Sequence, residues 1–329
     1  MKVLHIIGAD ISKESIDFAT INSHHVHLQN DRAGFRQLLR WLKINKINVS
    51  QSMIVMEHTG LYSYQFEQFL EHKKLQFTKV SGLAIKRSMG MVRGKNDKID
   101  AIRIARYGAE KKDTLIPAAA TNESLQQLQL LSAARDKFVR RRASDIATVN
   151  EYRKLLGLKD TSLLISSYVQ MIKALDKQIE RLEQEMELII RGEKNINNNY
   201  QLLQSIKSVG KVVARATIIR TANFTRFADG RKFSCFCGTA PFEHTSGSSI
   251  RGRTRVSHMA DKKMKSLLDM AAKSAIQHDK ELREYYLKQI GLGKAKMSVM
   301  NVVRNKLIYR MFAVIKRQTP FVDNYLNAA

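Results

Sequence analysis

Apolar residues in the first third of the chain come in short runs separated by polar breaks. Val3–Ile7 is a β-branched run that stops at Gly8, and Ile16–Ile21 and Val26–Leu28 follow so closely that the three are expected as an antiparallel meander. Phe35, Leu38, Leu39 and Leu42 then return at helical spacing, which predicts an amphipathic helix. Met53–Met56 reads as a buried strand, a helix follows from about Tyr62, and Phe77–Val80 gives a fifth strand.

Further along, the period changes. Glu123 to Leu156 is helical in pattern and rich in charge, Gly157–Asp160 is a break, and a second helix follows. On it Ile165, Tyr168, Ile172, Leu175, Ile179, Leu182, Met186 and Ile189 step by three and four. That is a heptad seam, and a helical hairpin within the chain fits it as well as a dimerisation arm does. Arg191–Tyr200, with Gly192 and four asparagines, reads as a linker. From Leu202 to the end the pattern is mainly helical, interrupted by a Gly/Ser/Arg-rich loop at Gly238–Arg255.

Three strands, then helix, strand, helix, strand is the order of a ribonuclease-H-like fold. The expected class is α/β plus α, divided into an N-terminal domain over 1–118, a helical coiled-coil arm over 119–192 and a mainly helical domain over 193–329. A length of 329 residues exceeds one ordinary core, and 44% hydrophobic content predicts a folded chain. The net charge is +26, from 56 Lys and Arg against 30 Asp and Glu. Such an imbalance does nothing for a fold but attracts a polyanion. Nucleic acid is the expected partner, because neutralising phosphates releases condensed counterions. Cys235 and Cys237 can build neither a disulfide framework nor a structural zinc site, and read as buried thiols in a reducing cytoplasm. The first apolar run is too short for a signal peptide, and no segment approaches the ~20 apolar residues of a membrane span.

In a chain this basic, four acids stand out. Asp10 follows the first strand, after Gly8 and Ala9, and Glu57 ends the fourth, in Met56-Glu57-His58-Thr59-Gly60. Asp97 and Asp100 stand at i and i+3 on one side of a predicted helix. All four can converge at one end of the sheet. Crowded carboxylates repel unless cations sit between them, and Mg²⁺ prefers such hard oxygen ligands. Two such ions about 4 Å apart activate a nucleophile and stabilise a leaving oxygen in phosphoryl transfer. The simpler alternative makes each acid a helix cap or a solvated charge, Asp97 being placed to cap its own helix. Glu14, Asp17 and Asp113 are read as surface residues.

The loop Thr245-Ser246-Gly247-Ser248-Ser249-Ile250-Arg251-Gly252-Arg253-Thr254-Arg255 combines hydroxyls, glycines and three arginines. Glycine lets the backbone approach phosphate, and arginine holds phosphate bidentately. On composition alone this is a phosphate-binding loop whose serines donate hydrogen bonds; a hydroxyl there could also attack a phosphodiester. Ile206–Arg215, including Lys211, is a degenerate helix-hairpin-helix, a motif that grips the DNA backbone through amides at a helix N-terminus.

These residues together resemble the DEDD-type transposases of bacterial insertion sequences, the bridge-RNA-guided recombinases, a group that includes pilin-gene DNA invertases. The resemblance is carried by Gly8-Ala9-Asp10-Ile11-Ser12-Lys13, Glu57-His58-Thr59-Gly60 and Lys95-Asn96-Asp97-Lys98-Ile99-Asp100-Ala101. Gly238-Thr239-Ala240-Pro241, followed by Ser246-Gly247-Ser248-Ser249 and Arg251-Gly252, carries it in the C-terminal half. It implies a RuvC-like N-terminal domain in which Asp10, Glu57, Asp97 and Asp100 bind Mg²⁺. It also implies that Ser246 is the nucleophile that becomes linked to DNA, in a C-terminal transposase domain. The heptad helices would assemble the protein into a dimer or tetramer, and a structured guide RNA would pair with target and donor DNA in the bacterial nucleoid. Two positions depart from the family pattern. Lys207-Ser208 stands where Pro-Gly is usual, and Ala260 where a glycine is usual.

Rival readings make different use of the same residues. A RuvC-like junction nuclease would use the carboxylates and water, leaving Ser246 idle. A site-specific DNA invertase is a variant within the family. A non-catalytic nucleic-acid binder would avoid acids such as Asp97 and Asp100 near phosphate. A sugar-kinase-like ATPase needs glycines that residues 8–13 lack.

Overall fold

The computed structural model describes residues 5–88, 96–118, 122–246, 250–256 and 260–323, with the backbone alone over 243–246 and 250–255. The chain forms two compact units, Met1–Thr121 and Asn122–Ala329.

The first unit runs β1 (His5–Ile11), β2 (Ser15–Thr20), β3 (His25–Gln29), α1 (Arg32–Ile44), β4 (Ser52–Glu57), α2 (Tyr64–His72), β5 (Gln76–Val80), α3 (Gly82–Ser88) and α4 (Asp97–Glu110). The sheet order is β3-β2-β1-β4-β5. β1, β2 and β3 pair antiparallel, as the short spacings require, while β4 and β5 run parallel to β1. Along β1 successive side chains take opposite faces. Ile7, Ala9 and Ile11 join Ile16 and Phe18 against Phe35, Leu38 and Leu42 of α1 and Phe66 and Leu70 of α2. Ile6, Gly8 and Asp10 point to the other face, where α4 lies and where Ile6, Met53 and Val55 cluster with Ile104.

Gly8 does not stop the first strand, as its sequence suggests; β1 continues to Ile11 and carries Asp10 within it. Glycine stands there because α4 passes directly over it. A Cβ at Gly8 would overlap the Ala101 carbonyl oxygen and the Ala105 amide nitrogen. Backbone cannot yield as a flexible side chain can, so Gly8→Ala is expected to destabilise the unit by about 1–3 kcal/mol. Urea unfolding measures this directly, and an unchanged midpoint would show that α4 is free to lift from β1.

The second unit begins with α5 (Glu123–Leu156) and α6 (Leu163–Gly192). Asn122 caps α5 at its start and left-handed Gly157 ends it. The two helices pack as an antiparallel hairpin. Arg135 meets Glu183 at 2.5 Å, Arg142 meets Asp176 at 2.6 Å, and the Tyr152 and Tyr168 rings lie edge to face with centroids 6.0 Å apart. The heptad seam is thus covered from within the chain, while Leu155, Leu156 and Leu163 at the distal end stay exposed.

The expected linker at Arg191–Tyr200 is helical instead. α7 (Lys194–Gln204) buries Ile196, Tyr200 and Leu203 along one face, which outweighs the turn preference of its asparagines. α8 (Lys211–Thr221), α9 (Gly230–Cys237), α10 (Lys262–His278), α11 (Lys280–Gly291) and α12 (Lys296–Arg317) complete the helices. One core joins them to the base of the hairpin, with Leu128, Met186, Tyr200, Val213, Phe233, Leu268 and Leu307 among its members. The loop expected at Gly238–Arg255 is largely a β-hairpin, β6 (Pro241–Ser246) and β7 (Ile250–Val256). β-branched Thr245, Ile250, Thr254 and Val256 favour strand even among arginines and glycines. No described helix is long and apolar enough to cross a membrane. Both cysteines are free, and burial pushes the Cys237 thiol up, which keeps it unreactive.

Candidate active site

The four acids are placed by three elements. β1 and β4 lie parallel in a register that sets Gly8 beside Val55 and Ala9 beside Met56, so Asp10 and Glu57 follow side by side at the strands' C-terminal ends. Both belong to the face that α4 covers. The Asn96 side chain accepts from the Ile99 amide at 2.8 Å and caps α4, so the cap role open to Asp97 belongs to its neighbour. Asp97 and Asp100 remain in the first turn, at the end of the helix that faces Asp10.

Their proximity is visible in Asp10. Its carboxyl is pushed up to about 6 by burial first, then by the charges of Asp100, Asp97, Glu57 and Asp17. Glu57 lies against the chain at Gly82, where a Cβ would overlap its Oε1. Asp100 pairs with the Arg103 guanidinium at 2.7 Å. Among the described residues no three or more acids, histidines or cysteines stand close enough together to hold a metal ion as they are. The acids are within electrostatic reach of one another, and Arg103 supplies a positive charge to Asp100. The donor set is all carboxylate oxygen, which suits a hard divalent cation, and burial and then the neighbouring acids raise the cost of charge on Asp10, a cost that such a cation would offset.

The sign of this effect is testable. Asp10 loses its proton near 3.8 in an unfolded chain and near 6 in the folded one. Between those values the folded state binds more protons, so stability falls as pH rises through the window, and the full penalty applies above it. Asp10→Asn is therefore expected to raise the thermal midpoint of metal-free protein at about pH 7 and to leave it unchanged at about pH 3. An equal shift at both would show that the effect does not come from ionisation of Asp10.

Asp17, expected at the surface, is 4% exposed. It sits directly opposite Asp10 in the β1–β2 register, hence on the same face. His25 Nε2 lies 2.6 Å from one of its oxygens and His27 Nδ1 2.8 Å from the other. A buried carboxylate needs such partners, and the two ring nitrogens supply them. The signal was present in the sequence: an acid inside the apolar run Ile16-Asp17-Phe18, and histidines at period two in the paired strand. Glu14 and Asp113 are exposed, as expected.

In the second unit, Ser246 ends β6 and pairs in register with Ile250, and Arg251 pairs with Thr245. Ser248 and Ser249 lie outside the described residues. Arg253 and Arg255 lie on β7 with Arg251, and the β7 backbone alone is described there. The base of the hairpin is held firmly. The Asn301 and Asn305 side-chain amides of α12 both donate to the Thr239 carbonyl, at 2.6 and 2.9 Å. The Thr239 amide donates in turn to the Ser234 carbonyl at 2.9 Å, beside left-handed Gly238. Lys211, exposed, opens α8 after Gly210, which caps without a side-chain bond.

Acids at the C-terminal ends of adjacent parallel strands, joined by two more on a covering helix, are an arrangement suited to phosphoryl transfer with divalent cations. Comparison with known proteins narrows this. Residues 7–158 match the DEDD transposase model of the IS110 group, described as "Transposase". Residues 200–287 match the "Transposase IS116/IS110/IS902 family" model. The chain belongs to the IS110/IS116/IS902 family of transposases, enzymes of DNA phosphoryl transfer. A pilin gene-inverting protein of Moraxella bovis is 25% identical over 323 residues, covering 96% of this chain and 97% of the relative. The Moraxella lacunata counterpart is 26% identical over the same length, with 96% and 97% coverage. The transposase for insertion sequence element IS1111A of Coxiella burnetii is 23% identical over 359 residues, covering 98% and 92%.

Proposed function

We propose that this transposase is an RNA-guided DNA recombinase that cuts and rejoins strands through a covalent Ser246–DNA ester, assisted by Mg²⁺ at Asp10, Glu57, Asp97 and Asp100. The observation that carries the acid site is the placement of Asp10 and Glu57 on adjacent parallel strands on the face that α4 covers, with Asp97 and Asp100 in the first turn of that helix; burial and then the charges of Asp100, Asp97, Glu57 and Asp17 push the Asp10 carboxyl up. We assign residues 1–118 to a RuvC-like catalytic domain, 119–192 to a coiled-coil arm and 193–329 to the transposase domain. The leucines exposed at the arm's distal end favour assembly into a dimer or tetramer through that arm.

When bound, Mg²⁺ supplies a Lewis acid that lowers the charge on the scissile phosphate and the pKa of an attacking hydroxyl. Asp10 and Glu57 hold their carboxylates at the strand ends, and Asp97 and Asp100 close the site from α4. Arg251, Arg253, Arg255, Ser248 and Ser249 grip phosphate oxygens, and Lys211 contacts the backbone from the start of α8. The Ser246 hydroxyl loses its proton and forms an Oγ–phosphorus bond. The strand's own P–O bond breaks, and the departing oxygen gains a proton. A hydroxyl from a second strand reverses the step and rejoins the DNA without loss of bond energy. The pilin gene-inverting relatives, aligned over nearly the whole chain, favour inversion as an alternative outcome of the same chemistry.

No described helix is evidently devoted to reading base edges, and +26 of charge suits a structured polyanion. Protein purified from cells carrying the complete element is expected to retain a discrete structured RNA, identified by sequencing. Nuclease-treated protein should lose site-specific recombination and regain it when that RNA is restored. Full activity after complete RNA removal would overturn the guided reading.

A further inference from the structure

The turn that leaves β4 holds two large apolar side chains in water. Gly60–Ser63 forms a short 3₁₀ turn entered through Gly60 at φ 71°. On it Leu61 is 67% and Tyr62 50% exposed. The turn is nevertheless braced from three sides. Ser63, buried, donates to a Glu67 oxygen at 2.6 Å and to the Gly60 carbonyl at 3.2 Å. Glu67, also buried, is held by Lys79 at 2.7 Å. The Asn30 side-chain amide donates to the carbonyls of both Tyr62 and Ser12, each at 2.9 Å. Ser12 lies two residues after Asp10, so Asn30 ties the loop leaving Asp10 to the loop leaving Glu57. Leu61 and Tyr62 therefore stand on a fixed support at the edge of the sheet where the chain leaves β1 and β4, the strands that carry Asp10 and Glu57.

Single exposed apolar residues are ordinary on a protein surface. Two adjacent ones on a braced turn, at the same sheet edge as the proposed acid site of a transposase, present a preformed contact. An aromatic ring beside an aliphatic side chain matches the π face of a nucleobase, and such stacking tolerates any sequence. A base within a duplex has both faces covered, whereas one unstacked beside the cut has a face to offer. The attached backbone is anionic and the neighbouring Lys13 is exposed, which adds complementary charge.

We propose that Leu61 and Tyr62 form a stacking platform for one unpaired base of the DNA strand entering the acid cluster, fixing which phosphate lies at the carboxylates. The proposal rests on the acid-cluster reading for its location. Its test reads binding and stacking without divalent metal, so that no strand is cut and a failure of the catalytic assignment leaves the result unaffected.

The full chain is titrated with a single-stranded DNA oligonucleotide carrying 2-aminopurine, following anisotropy for binding and fluorescence quenching for stacking. The wild type should bind and quench. Tyr62→Ala should lose about tenfold in affinity and most of the quenching, Leu61→Ala less, and Tyr62→Trp should restore both. A 5-iodouracil oligonucleotide should crosslink to the peptide containing Tyr62 on irradiation. Wild-type affinity and quenching in Tyr62→Ala, or failure of Tyr62→Trp to restore them, would overturn the platform. So would a crosslink found only elsewhere, or a dimer dissolved by Leu61→Ala, which would make the turn a contact between copies of the chain.

Discussion

Replacing Asp10, Glu57, Asp97 or Asp100 by its amide is expected to lower strand exchange by about 10²–10³-fold or more, while DNA and RNA binding stay near wild type. The argument is electrostatic. Burial and then the charges of Asp100, Asp97, Glu57 and Asp17 raise the cost of charge on Asp10. A site assembled for phosphate attraction alone would not accumulate acids in a chain of net charge +26. The acids make sense as a seat for cations, and one amide removes both charge and a hard ligand from it. Strand exchange on a supercoiled substrate and filter binding of labelled DNA, run in parallel, separate chemistry from affinity. Asp100→Asn carries an added control, because it also breaks the ion pair with Arg103. If its loss reflects only that guanidinium, Arg103→Ala should reproduce it with Asp100 intact. Wild-type exchange in any one amide variant would remove that residue from the site.

The sheet was legible because apolar periodicity is a direct record of burial. Three closely spaced β-branched runs could only pair antiparallel, and they do. The acids were legible because charge at the end of an apolar run is costly without a purpose. What stayed hidden depends on partners distant in sequence. Gly8 reads locally as a strand stop, yet its missing side chain serves the passage of α4, nearly a hundred residues later. Asp17 reads as a surface charge because its partners His25 and His27 become neighbours only once β2 and β3 pair. The asparagines of α7 suggest a linker, but Ile196, Tyr200 and Leu203 align on one helical face and bury together. The serine hairpin was obscured by its arginines and Gly252, which mark phosphate contact in sequence and sit on β7 in the structure.

The remaining large effect concerns Ser246. Wild-type protein stalled on a suicide substrate is expected to carry one DNA strand covalently on Ser246, and Ser246→Ala to form no adduct and to lose cleavage. A serine hydroxyl is a weak nucleophile at neutral pH and must be both activated and aimed. In the proposed mechanism, activation would fall to a divalent metal that the four acids would hold. Aim comes from the hairpin. Ser246 ends β6 opposite Ile250, and the strand starts from Thr239, whose carbonyl receives two amides from α12. A nucleophile on a paired strand anchored at its base is better positioned than one on a free loop. Ser248 and Ser249 lie in sequence between β6 and β7. They are expected to bind phosphate, so Ser248→Ala and Ser249→Ala should slow turnover without abolishing the adduct. Digestion of the trapped complex and mass spectrometry of the DNA-linked peptide locates the ester. An adduct on Ser248 would move the nucleophile by two residues and leave the chemistry standing. Normal cleavage by Ser246→Ala with no adduct at all would instead assign the acids to a nuclease that uses water, and the hairpin to phosphate binding alone.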